Sequence, residues 1–191
     1  MSNARERLAY LFLKDRTSLF QQPTRLLHVA PEPQLASMLK HSPNIKYVSA
    51  DLVGPAVMSH FDIQEAPFPN QTFDVVICNH VMEHVADDSL AMAEVHRILK
   101  PGGWALLQVP IALALDRTIE DPTAITESQR IELFGQEDHV RLYARADYIS
   151  RLEAAGFAVS AENYSSVIGS AKVEWFGLVE EEEVFFCSKD N

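Results

Sequence analysis

Residues 73–110 read FDVVICNHVMEHVADDSLAMAEVHRILKPGGWALLQVP, and they decide the fold because they carry a strand, a loop, a helix, a turn and a second strand in unbroken order. Residues 73–78 and 104–109 are short apolar runs bounded by turn residues, the pattern of buried strands in a parallel sheet. Between them Asp87, Asp88 and Ser89 offer N-caps, and Leu90, Ala93, Ile98 and Leu99 supply an apolar face. Lys100-Pro101-Gly102-Gly103 stops the helix with a cation, a proline and two glycines. The unit is βαβ, and its crossover is expected to be right-handed.

Working outward, the 191 residues are 47% hydrophobic and 23% charged, enough for one globular domain with a sizeable core. The domain is expected to span 1–191, with a helical flank at 1–24 and a substrate-side insertion at 111–145. Charges at Arg5, Arg7, Lys14 and Asp15 argue against a signal peptide or a membrane span in the N-terminal stretch, so a cytoplasmic protein with no membrane partner is expected. A net charge of −11 argues against a nucleic-acid partner, whose phosphates are bound mostly by clustered Lys and Arg. A small molecule or a basic protein is the better substrate. Cys78 and Cys187 lie in apolar runs and are expected as free, buried thiols. The acidic run 180–183 is read as a solvated turn before the last strand.

Along the chain, residues 3–20 form an amphipathic helix over the sheet, with Leu8, Leu11, Phe12 and Leu19 inward. Residues 25–30 are the first strand, Pro31-Glu32-Pro33 a stiff turn, and 34–40 a helix, the place where a nucleotide-binding sheet puts its cofactor loop. Residues 46–50 are the second strand, ending at Asp51, and 59–63 a short third. From 111 to 136 no period is clean, which marks an excursion over the C-terminal edge of the sheet, where ligands bind. Residues 146–155 are helical, Gly156 ends that helix, and 157–161 and 184–188 are the last strands.

These pieces resemble the class I S-adenosylmethionine-dependent methyltransferases, closest to the small-molecule, methyltransferase-11-like type. The resemblance rests on Asp51, Asp62-Ile63, Pro67-Phe68 before Phe73-Asp74, Asn79-His80 with Glu83-His84, and Arg97 with residues 99–103. It implies a Rossmann-like α/β three-layer sandwich whose seven-stranded, mostly parallel sheet has an antiparallel last strand. S-adenosyl-L-methionine is the implied cofactor and a small-molecule methyl acceptor the implied partner, in a monomer or homodimer. Residue by residue, it assigns Asp51 to the ribose, with Leu52 beside it as a further cofactor-binding residue, Asp62 and Ile63 to the adenine, and Asn79 and His80 to the methionine end. Its first loop, normally acidic-x-Gly-x-Gly-x-Gly, falls on His28-Val29-Ala30-Pro31-Glu32-Pro33-Gln34, which has no glycine. Either His28, Ala30, Pro31 and Glu32 form a working substitute, or the loop has closed the site and left a non-catalytic binding or regulatory module.

Two further motifs remain. His80-Val81-Met82-Glu83-His84 satisfies H-x-x-E-H, but that zinc signature needs a helix and here it follows a strand directly, so no metal is expected. His84 is read as a packing residue beneath the cofactor loop, and Glu83 as a partner for nearby backbone. In an extended 138–143 segment, His139, Arg141 and Tyr143 project to one side. His139 is the candidate catalytic base and Arg141 the candidate holder of an anionic substrate group; the plainer alternative is a local ion pair that fixes the loop.

Overall fold

The computed structural model describes residues 3–180 and 182–191. Its seven-stranded sheet runs in the order β3-β2-β1-β4-β5-β9-β8, from β1 (Thr24–Val29), β2 (Ile45–Asp51), β3 (Ser59–His60), β4 (Phe73–Cys78), β5 (Leu99–Leu106), β8 (Ala158–Glu162) and β9 (Val184–Ser188). The pairs among β1 to β5 are parallel, and β9 is antiparallel to both β5 and β8. The expected architecture is therefore the observed one.

Alternation along the central strands makes the three layers. Leu26 on β1 and Val75 and Ile77 on β4 join α1 (Ala4–Arg16) and α2 (Pro33–Lys40) in one core cluster. Leu27, Val76 and Cys78 point the other way, to α3 (Asp88–Ile98) and α5 (Arg145–Ala154). Both cysteines are free and buried. No helix among the described residues is long and apolar enough to cross a membrane.

Local corrections are instructive. Asp87 caps α3 through Leu90 N at 3.0 Å, but the buried stripe is Asp88, Ala91, Met92, Val95 and Ile98, with Leu90 exposed. The helix is rotated because Asp88 is drawn inward by Tyr143 and Arg151. Residues 100–103 do not simply terminate it. They form a bulge inside β5, where the register jumps from Phe73 opposite Leu99 to Val75 opposite Trp104. β3 stops at His60, and residues expected to extend it form a 3₁₀ turn, Ile63–Glu65, capped by Asp62. The acidic run is not a freely solvated turn: Glu182 lies 3.3 Å from Arg5 and Glu183 2.6 Å from Arg145, while position 181 is outside the described residues.

The excursion has its own structure, with strands β6 (Ile119–Glu120) and β7 (Arg141–Leu142) paired antiparallel around α4 (Glu127–Phe134). A Thr126/Gln129 capping box starts α4 and Gly135, in the left-handed region, ends it. Two short helices, α6 (Tyr164–Ile168) and α7 (Ser170–Phe176), precede β9.

Candidate cofactor and substrate site

Connections from β1 lead outward through β2 to β3, and those from β4 lead the opposite way to β5. The ends of β1 and β4 therefore flank a topological switch point, where open α/β sheets bind ligands. A cavity of about 660 Å³ opens there. Ala30, Asp51, Leu52, Asp62, Ile63 and His80 all line it, drawn together from three strand ends and the 3₁₀ turn.

Its floor is set by two unusual backbones. Ala30 has φ +47° and His80 φ +55°, both in the left-handed region that L-residues enter at a cost. Ala30 N donates to Ala50 O at 2.8 Å and His80 N to Gln108 O at 2.7 Å, so neighbouring strands hold both turns. Ala30 thus stands where the resembling family has a glycine, and in a conformation that favours glycine. Asp51 is fixed by Val53 N, 3.1 Å from Oδ1, and a Cβ on Gly54 would stand 2.6 Å from Asp51 Oδ2, so a side chain there would push the carboxylate out of place. Asp62 accepts from Gln64 N at 2.9 Å and from the Gln64 amide.

Behind this wall runs a buried chain of polar groups. Tyr47 OH lies 3.1 Å from His28 Nδ1, His28 Nε2 lies 2.6 Å from Glu32, and Glu32 accepts from Asn79 Nδ2 at 3.0 Å. Burial works against the Glu32 carboxylate, but bonding and charge from His28, with the Asn79 bond, outweigh it and hold the group below the ordinary carboxylate range. Asn79 Oδ1 and both His80 ring nitrogens are buried without partners. His28, Glu32 and Asn79 therefore brace the wall rather than line the cavity. Pro31 faces a separate hollow of about 670 Å³ beside α2, which shares Asp51 with the cavity.

On the insertion side the alternation holds: His139, Arg141 and Tyr143 are buried, while Val140 and Leu142 are half-buried. Arg141, however, offers nothing to a substrate anion in the cavity. Its guanidinium donates to the carbonyls of Met82 at 2.6 Å, Val85 at 2.5 Å and Ala86 at 3.0 Å, and to Glu120 at 2.7 Å. The Asp88–Arg151–Glu120 group completes this clamp, with Tyr143 OH 2.6 Å from Asp88. His139 does not line the cavity. It packs edge-on against His84, with ring centroids 4.8 Å apart, and burial holds its imidazole below its ordinary range. His84, apart from this ring contact, is not packed beneath a loop but is an exposed part of the cavity wall beside Asp138. Glu83 does not serve backbone with its carboxylate: Oε2 is buried without a partner. Sequence reasoning missed Asp138, Val85 and Ala86 as lining residues, since no local pattern marks a loop folded back over a strand end.

The model of a methyltransferase domain matches residues 31–162. The chain belongs to that family. This methyltransferase is of the class I, S-adenosylmethionine-dependent kind, and the family implies use of that cofactor. Among curated relatives it is 37% identical over 62 residues to a ubiquinone/menaquinone biosynthesis C-methyltransferase of Saccharophagus degradans, covering 32% of this chain and 25% of that one. It is 29% identical over 96 residues to the uncharacterized protein YafE of Escherichia coli, covering 50% and 44% respectively. The methyltransferase thus matches less than half the length of these relatives. Among solved structures, phosphoethanolamine N-methyltransferase 2 of Haemonchus contortus superposes with a TM-score of 0.65 at 14% identity, covering 98% of this chain and 53% of that one. The [4+2]-cyclase SpnF superposes with a TM-score of 0.64 at 18% identity, covering 99% and 84%. At such identities the likeness is one of fold.

Proposed function

We propose that this methyltransferase transfers the methyl group of S-adenosylmethionine to a small-molecule acceptor. The observation that carries the reading is the convergence of Ala30, Asp51, Asp62 and His80 on one cavity of about 660 Å³ at the switch point, a size suited to a cofactor and a small acceptor. The residues fit the cofactor. A left-handed Ala30 lets backbone approach a ligand closely, Asp51 and Asp62 are carboxylates already held in place, and the ring nitrogens of His80, on the cavity lining, are buried without hydrogen-bond partners.

Asp51 would accept from the ribose hydroxyls, Asp62 from the adenine amino group with Ile63 beside the ring, and His80 would face the methionine end, with Asn79 held behind it by Glu32 and His28. When bound, the cofactor supplies an electrophilic methyl on a sulfonium. The chain's task is alignment and exclusion of water, which contributes much of the rate in such displacements without a side-chain base. The acceptor enters on the side of His84 and Asp138, next to the insertion.

Calorimetric titration with S-adenosylhomocysteine tests this without knowledge of the acceptor. Micromolar binding is expected. Absence of binding at millimolar ligand would overturn the reading in favour of a non-catalytic module that has kept the fold.

A further inference from the structure

Spacing alone sets the H-x-x-E-H run aside as a metal signature, because two histidines four apart share a face only on a helix. In the structure the run is a turn, and it does something else. It presents Glu83 and His84 to His139, which arrives from the far end of the insertion, and ligand-capable atoms of the three lie within 4.8 Å of one another. Backbone ties the two segments together through Val140 N to Glu83 O at 2.9 Å.

We propose that Glu83, His84 and His139 bind a divalent transition-metal cation in the wall of the cofactor cavity. Glu83 is 2% exposed and His139 4% exposed, yet Glu83 Oε2 and His139 Nδ1 have no hydrogen-bond partner. An unpartnered carboxylate oxygen beside an unpartnered imidazole nitrogen, both buried, is costly unless something positive or donating sits between them. Outer contacts orient the ligands as metal sites require. Asp138 Oδ2 lies 3.3 Å from His84 Nδ1, and His139 keeps a buried, unpartnered Nδ1 for the cation. His80 Nδ1 stands 3.4 Å from Glu83 Oε1, within ion-pairing range but not hydrogen-bonded to it.

Two imidazoles and one carboxylate suit zinc, iron or manganese better than magnesium or calcium, which prefer oxygen alone. Three protein ligands leave coordination positions open, and His84 puts them at the cavity surface. There an acceptor hydroxyl can coordinate and lose its proton to solvent more readily. That role rests on the transferase reading; the binding of the cation does not.

The test is titration of the chelator-stripped full chain with zinc by calorimetry and with cobalt(II) by visible absorption. One saturable site per chain is expected, weakened at least about a hundredfold in both Glu83→Gln and His139→Gln, with unfolding midpoints recording that each variant is folded. No saturable binding, or equal affinity in the variants, overturns the site. A chain that binds zinc but not S-adenosylhomocysteine upholds the site and removes the acceptor role. One that binds S-adenosylhomocysteine but no metal removes the site and leaves the transferase reading intact.

Discussion

Asp51 and Arg141 are both charged groups beside the cavity, but they are held in opposite ways. Asp51 sits at the end of β2, takes one backbone N–H, and keeps oxygen free for a ligand. Arg141 is buried in the insertion and spends its guanidinium on three carbonyls and Glu120. One side of the cavity is thus made by strand ends and local caps, with its polar groups available. The other is made by a long-range ionic clamp whose polar groups are consumed in holding the insertion down. Asp51 is thus available to a ligand and Arg141 is not, and substitutions can show the difference.

The largest effect is expected from Arg141→Met. It strips donors from three buried carbonyls and leaves Asp88 to Arg151 and Tyr143 and Glu120 to Arg151, which should cost about 3–5 kcal/mol in a denaturant titration. A loss under 1 kcal/mol would mean that the clamp is ornamental. Asp51→Ala should do the converse, weakening S-adenosylhomocysteine binding by about 1.5–3 kcal/mol while leaving the unfolding free energy within about 0.5 kcal/mol. Unchanged affinity removes Asp51 from the cofactor site.

A smaller and opposite effect belongs to Ala30→Gly. Relief of the left-handed strain, worth about 1–2 kcal/mol, exceeds the added flexibility of the unfolded chain, about 0.4–1 kcal/mol. The variant should be more stable than the parent by about 0.5–1 kcal/mol, and a less stable variant would show that the turn is unstrained. Smallest is the acid response of Glu32. Its folded pKa lies below the ordinary 4.5, so its contribution to stability is present above that value and is lost as pH falls through the lower folded value. Glu32→Gln should therefore flatten the acid limb of the stability curve below about pH 4.5 and leave its slope at pH 6 to 8 alone.

The same division governs what the amino-acid order reveals. Strands β1, β2, β4 and β9, the Asp87 cap and the Gly156 stop are legible because each depends on residues within a few positions of one another. So are Asp51, Asp62 and His80, since strand ends follow from strand patterns. The rotation of α3 was not legible, because it depends on Tyr143 and Arg151 reaching Asp88 from another part of the chain. Arg141 misleads for the same reason: alternation correctly places it inward, but nothing local says that carbonyls of residues 82–86 await it. A missed feature with a local signal is α4, announced by Thr126-x-x-Gln129 and Gly135 inside a stretch without a clean hydrophobic period.

The Arg141 clamp also bears on the order in which the chain assembles. The carbonyls of Met82, Val85 and Ala86, in the loop between β4 and α3, converge on one guanidinium from the insertion. A clamp between segments so far apart in the chain is expected to close late, after the sheet has formed. Contacts made after the rate-limiting step leave the folding rate alone and are felt in escape from the native state. On this account the clamp acts as a late latch, setting how long the finished molecule survives rather than how quickly it is made.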